Sequence, residues 1–83
     1  MKVRVVKKES PAEEIAIRTE FIKLQDFLKF ANLVESGGMA KNFIVEGDVQ
    51  VNGETCLMRG KKLHPGDTVK FMGRLLRVTA EEV

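Results

Sequence analysis

The stretch Leu24–Gly53, LQDFLKFANLVESGGMAKNFIVEGDVQVNG, decides the fold, because the spacing of its apolar residues changes along its length. Leu24, Phe27, Leu28 and Ala31 fall at i, i+3, i+4 and i+7, which is one face of a short helix. Lys23, Gln25, Asp26 and Lys29 lie off that stripe and should meet solvent. Asn32 tolerates the left-handed backbone that ends many helices, so a stop is predicted there. Ser36 predicts the N-cap of a second helix, since its hydroxyl can accept from a backbone N–H that lacks an intrahelical partner. Met39 stands where a capping box would carry Glu or Gln, so that fuller motif is missing. Ala40, Phe43 and Ile44 keep helical spacing as far as Gly47, a C-terminal stop. Past Gly47 the period drops to two. Val49 and Val51 flank Gln50, and Asn52-Gly53 is the favoured pair for a type I′ hairpin turn.

Working outward, Ile15, Ile17 and Thr19 alternate with Ala16 and Arg18 as in a half-buried strand. Val3, Val5 and Val6 around Arg4 suggest a further strand or arm over residues 2–7, which Ser10-Pro11 interrupts. Downstream, His64-Pro65-Gly66-Asp67 fits a turn with Pro second and Gly third. Thr68–Phe71 and Leu75–Thr79 form a hairpin around Gly73. The expected fold is α+β: two short packed helices followed by a small antiparallel sheet, with an extra N-terminal strand. Residues 1–14 are assigned to the strand or arm and 15–83 to the domain.

The chain has 83 residues, enough for one domain with one modest core and too few for a deep cleft between lobes. Trp and Tyr are absent, so the five Phe (Phe21, Phe27, Phe30, Phe43 and Phe71) are expected to supply the large core side chains. Cys56 is the only cysteine, which excludes an internal disulfide and suits a reducing cytosol. No apolar run has the length of a membrane span, and the N-terminus lacks a signal-type apolar region. A monomer in the cytoplasm is expected.

Catalysis is poorly supported. A hydrolytic triad needs a histidine in contact with a nucleophile and an orienting acid. His64 is the sole histidine and precedes Pro65-Gly66 in a predicted turn, where a lone histidine is usually just solvated. Cys56 has no identifiable base and reads as a small core residue. Gly37-Gly38 before Lys41 lacks the spacing of a nucleotide-hydrolase phosphate loop, and the carboxylates are scattered without metal-ligand pattern. Neither catalytic residue, metal nor cofactor is expected.

Charge gives the positive signal. The net charge is only +2, but Arg59, Lys61, Lys62, Lys70, Arg74 and Arg77 follow Cys56 with Asp67 as the sole acid among them. Such segregation makes a basic face on a nearly neutral molecule. Arg59-Gly60-Lys61-Lys62 is either a solubilising loop or a phosphate-binding one. Gly37-Gly38 at a helix start either lets a phosphate approach free N–H groups or permits a tight helix–helix contact. No exposed aromatic pair suggests a base-stacking platform, which favours folded, partly double-stranded RNA read by shape and backbone.

Leu24-Gln25-Asp26-Phe27-Leu28-Lys29, Leu33 through Lys41, Gly47-Asp48-Val49-Gln50-Val51-Asn52-Gly53 and Pro65-Gly66-Asp67-Thr68-Val69 together resemble the S-four RNA-binding domain, named after the fourth protein of the small ribosomal subunit. The Ser36–Lys41 string and the Arg59–Leu63 loop further resemble small stand-alone bacterial proteins of the YaaA and YbcJ type. The resemblance implies an RNA-binding surface, a ribosomal RNA partner and a link to large-subunit assembly. It implies as contact residues Lys23, Gln25 and Lys29 on the first helix, Ser36, Gly37, Gly38, Lys41 and Asn42 on the second, and Asn52, Arg59, Lys61 and Lys62 beyond. Phe27 and Gly37-Gly38 stand where many members of that family carry basic residues, which shifts weight onto backbone N–H groups. Two other classes stay open: a protein–protein adapter pairing through its N-terminal strand, and a regulatory DNA-binding protein.

Overall fold

A computed structural model describes residues 12–81, folded as β1 (Glu13–Ile17), β2 (Ile22–Lys23), α1 (Leu24–Phe30), α2 (Gly37–Val45), β3 (Val49–Val51), β4 (Glu54–Thr55), β5 (Lys62–Leu63), β6 (Thr68–Phe71) and β7 (Arg74–Ala80). The class is α+β, with a five-stranded sheet in the order β1-β7-β6-β3-β4 and a two-stranded ladder, β2-β5.

Local chemistry sets the element ends. Both helices close in Schellman motifs: Asn32 (φ 65°) follows α1, with Leu33 N–H donating to Leu28 O at 2.9 Å. Gly47 (φ 87°) follows α2, with Asp48 N–H donating to Phe43 O at 3.0 Å. Ser36 caps α2, its hydroxyl accepting from Met39 N–H at 3.2 Å. Asn52 (φ 52°) and Gly53 (φ 88°) turn β3 into β4, as their left-handed backbone requires in a type I′ turn. Met72-Gly73 (φ 54° and 78°) do the same between β6 and β7.

One face of the sheet is buried. Ile17, Val49, Val51, Val69, Phe71, Leu76 and Val78 meet Leu24, Phe27, Leu28, Ala40 and Ile44 of the helices in a single core. Phe43 stands edge-on to Phe71, ring centres 5.0 Å apart, tying α2 to β6.

Three expectations need correction. The sheet is mixed, because β1 runs parallel to β7 with Glu13 opposite Leu76 and Ile17 opposite Ala80. It takes in Glu13 and Glu14, which the sequence assigned to the arm, whereas the strand expected over 2–7 lies outside the described residues. Phe30 is 60% exposed and not a core residue: it is the last residue of α1 and falls off the buried stripe. No helix among the described residues is long and apolar enough to cross a membrane.

Candidate nucleic-acid interface

The Arg59–Lys62 loop is fastened to the start of α1 by backbone alone. Leu24 N–H donates to Lys61 O at 2.8 Å and Gln25 N–H to Arg59 O at 3.1 Å, so loop carbonyls take two of the helix's free N–H groups. Lys23, the N-cap position, has an extended backbone (φ −72°, ψ 148°) and makes no side-chain cap. It lies in β2, not on the helix where the sequence placed it, and faces Lys62 of β5 in an antiparallel pair. Gln25 is half-buried beneath the loop. Thus Lys23, Gln25, Arg59, Lys61 and Lys62, separated in sequence, form one cluster.

Two lysines directly opposite on a two-residue ladder repel each other, and such pairs are destabilising. Lys62 relieves part of this by setting its ammonium over the Phe21 ring, 4.8 Å from the centre. Lys23 makes no such contact among the described residues. Among the described residues, Lys23, Lys29, Lys41, Arg59, Lys61 and Lys62 make no salt bridge, whereas Arg18 is paired with Glu81 and Arg74 with Glu13. The paired cations flank β1; these six gather about α1, α2 and the loop, while Lys70 on β6 and Arg77 on β7 are likewise without a salt bridge among the described residues.

The helices carry the remaining candidates. Lys29 is exposed in the last turn of α1, and Lys41 and Asn42 are exposed on α2, which packs against α1. Gly37 and Gly38 open α2, and tight packing does not explain them. A Cβ built on Gly37 meets nothing within 4 Å, and one on Gly38 meets only the Ser36 hydroxyl at 3.8 Å. The helix–helix contact is therefore not their reason. Ser36 commits its hydroxyl to Met39 N–H, and the Gly37 and Gly38 amides remain at the positive end of the helix dipole.

Asn52 stands apart from this group. Its carbonyl oxygen accepts from Thr68 N–H at 2.9 Å, and its amide donates to Asp67 at 3.1 Å. Asp67 in turn accepts from His64 N–H at 2.8 Å. Burial pushes the Asp67 carboxyl up, but the hydrogen bonds from His64 and Asn52, with the charges of His64 and Lys61, outweigh it and hold the group below its usual range. The four residues clasp the β3–β4 turn to the turn before β6. Sequence reasoning also missed the β2–β5 ladder and the loop carbonyls on α1, neither of which has a side-chain signature.

The described residues hold no group of three or more His, Cys, Asp and Glu able to bind a metal ion. Cys56 is partly buried against the core, its thiol 3.7 Å from Met58 O.

A family model for the S4 domain matches residues 15–79. A Bacillus subtilis protein named "Probable ribosome maturation protein RlbA" is 50% identical over 62 residues, covering 75% of this chain and 87% of the relative. YbcJ of Escherichia coli is 39% identical over 59 residues, covering 71% of this chain and 84% of its own. The solution structure of YbcJ, described as revealing an αL motif involved in RNA-binding, superposes with a TM-score of 0.66 at 31% identity, covering 93% of this chain and 99% of that one. The matched span contains both helices, the basic loop and nearly the whole sheet, and the chain belongs to the S4 domain family.

Proposed function

We propose that this protein is a non-catalytic RNA-binding domain that recognises structured RNA, ribosomal RNA in particular, as an accessory to large-subunit assembly in the cytoplasm. One observation carries the reading: six cations without a salt bridge among the described residues lie on the helices and the adjoining loop and ladder, and two of them face each other in an arrangement that a polyanion would relieve. Lys23, Lys29, Lys41, Arg59, Lys61 and Lys62 hold phosphates, the Gly37 and Gly38 amides receive another, and Gln25, Ser36 and Asn42 supply polar contacts at the rim. Asn52 acts indirectly, by holding the hairpin. Phosphate contacts fix register without reading sequence. The names of RlbA, with its ribosome maturation, and of the αL motif of YbcJ support this direction.

Titrating ribosomal RNA at several salt concentrations tests it. Affinity should fall steeply as salt rises, and Lys41→Ala with Lys61→Ala should flatten the slope by about two counterions. A flat salt response in the wild type would refute the proposal. The adapter reading rests on the N-terminal strand over residues 2–7, which lies outside the described residues. Partner capture that survives high salt and nuclease would favour it. Preference for duplex DNA over folded RNA in competition would favour the regulatory DNA-binding reading.

A further inference from the structure

Between β4 and β5 the chain makes a loop whose conformation is fixed but whose largest side chains face solvent. Cys56 N–H donates to Val49 O at 3.0 Å and Lys61 N–H to Met58 O at 3.1 Å, while the Arg59 and Lys61 carbonyls hold α1. Leu57 and Met58 are nevertheless 57% and 66% exposed. Exposing two neighbouring apolar side chains on a braced loop forgoes burial that the fold could use. They border a groove of about 400 Å³ against the β3–β4 hairpin, lined also by Glu54, Thr55 and Lys61.

The charges around this groove differ from those beside it. Glu54 is an acid in its lining, which repels phosphate, whereas Lys61 stands at its border and Arg59 and Lys62 alongside, none of the three in a salt bridge among the described residues. A nucleotide approaching the loop would therefore leave its phosphates on the cations and turn its base toward Leu57, Met58 and Glu54. A thioether and a branched aliphatic chain suit the face of a base. A carboxylate accepts from the exocyclic amino group of adenine, cytosine or guanine, and uracil has none to offer. A base in a duplex is paired and stacked, and the A-form grooves deny it to side chains. Only an unpaired base reaches the groove.

We infer that the groove formed by Leu57, Met58, Glu54 and Thr55 binds one unpaired, amino-bearing nucleobase of a folded RNA whose flanking phosphates rest on the Arg59–Lys62 loop. This inference rests on the RNA-binding reading above and narrows its ligand from folded RNA to helices interrupted by a bulge or loop.

The test uses three RNA hairpins with one stem sequence: fully paired, with a single bulged adenosine, and with a single bulged uridine. Fluorescence anisotropy should show the bulged adenosine bound about tenfold more tightly than the paired stem, within the range that one base contact contributes in single-strand binders. Bulged uridine should fall between. Leu57→Ser with Met58→Ser should keep the affinity for the paired stem and its salt slope while losing the preference. Glu54→Ala should bring bulged adenosine and uridine together. In the unmodified protein, the Met58 methyl resonance should shift with the bulged adenosine RNA and not with the paired stem, while Met72 stays still, which needs no variant to fold. Equal binding of all three hairpins, or a preference that survives the double substitution, would overturn the inference and leave the RNA-binding reading standing. Failure to bind any hairpin would overturn both.

Discussion

Replacing Lys23 by Gln should make the protein more stable and a poorer RNA binder. Lys23 sits directly opposite Lys62 in the β2–β5 ladder and contributes no helix cap. Directly opposed residues have Cβ atoms roughly 5 Å apart, like charges there are destabilising, and cross-strand pairs span about 0.2–1 kcal/mol. Removing one should therefore gain about 0.5 kcal/mol. For a domain of this size that raises Tm by roughly 2–4 °C. Lys62 is the less suitable partner to change, because its ammonium also sits over the Phe21 ring and that contact would be lost. The gain should be present at low salt and vanish near 1 M, where charges this far apart are screened. For RNA the effect reverses. If Lys23 neutralises one phosphate, its loss reduces the salt slope by about 0.9 and weakens binding about eightfold at 0.1 M salt. Thermal melts at 20 mM and 1 M salt, set beside anisotropy titrations, measure both. A Lys23→Gln protein that melts lower at low salt, or binds RNA with an unchanged slope, would refute the argument that the repulsion is kept for a ligand's sake.

Substituting both Gly37 and Gly38 by Ala should raise stability by about 0.4–1 kcal/mol per site, since neither new methyl group meets an obstacle. RNA affinity should fall; affinity left unchanged would mean that no phosphate approaches that backbone. Asn52→Ala breaks the clasp on Asp67 and Thr68 and places a Cβ-bearing residue without a local hydrogen bond at φ 52°, which should cost about 2 kcal/mol and roughly 10 °C in Tm. Its folded form should bind fully paired RNA as the wild type does, because its amide is engaged within the fold. Asp67 and Glu13 both titrate below their usual ranges, Asp67 through the balance described above and Glu13 chiefly through its hydrogen bond with Arg74. A depressed carboxylate stabilises the fold above its ordinary pKa, and that contribution disappears as pH falls through the folded value. Chemical denaturation should thus give a constant stability above about pH 5 and a decline below about pH 4, shallower in Asp67→Asn.

Features settled by a few adjacent residues were legible in the sequence. Asn32, Ser36, Gly47 and Asn52-Gly53 each solve a local problem of unpaired groups or left-handed backbone, and the structure finds each doing so. The helix stripes were equally plain, since burial follows their spacing. What depends on a distant partner was hidden. Alternation along Ile15 and Ile17 announces a strand but neither its neighbour nor its direction, so the parallel pairing with β7 left no mark. The ladder of Ile22-Lys23 with Lys62-Leu63 is too short to carry a period. The candidate contact residues were visible as charges, and their assembly was not, because backbone carbonyls of Arg59 and Lys61 bring them together. Counting Phe as core overlooked that Phe30 stands off the stripe its own helix defines.

The parallel seating of β1 has a consequence for the order in which the molecule assembles and opens. A hairpin strand can zip from its turn, but β1 must find β7 across a separation of 63 positions, from Glu13 to Leu76, with both helices and the other antiparallel strands between them. Closing so long a loop costs chain entropy before the contact returns anything. The antiparallel strands should therefore condense first and β1 close the sheet last. In reverse, β1 is the strand to leave first, in an opening smaller than global unfolding. Its amide hydrogens should exchange with solvent ahead of those of β6, so that the molecule spends part of its time as a shorter sheet with the outer edge of β7 bare.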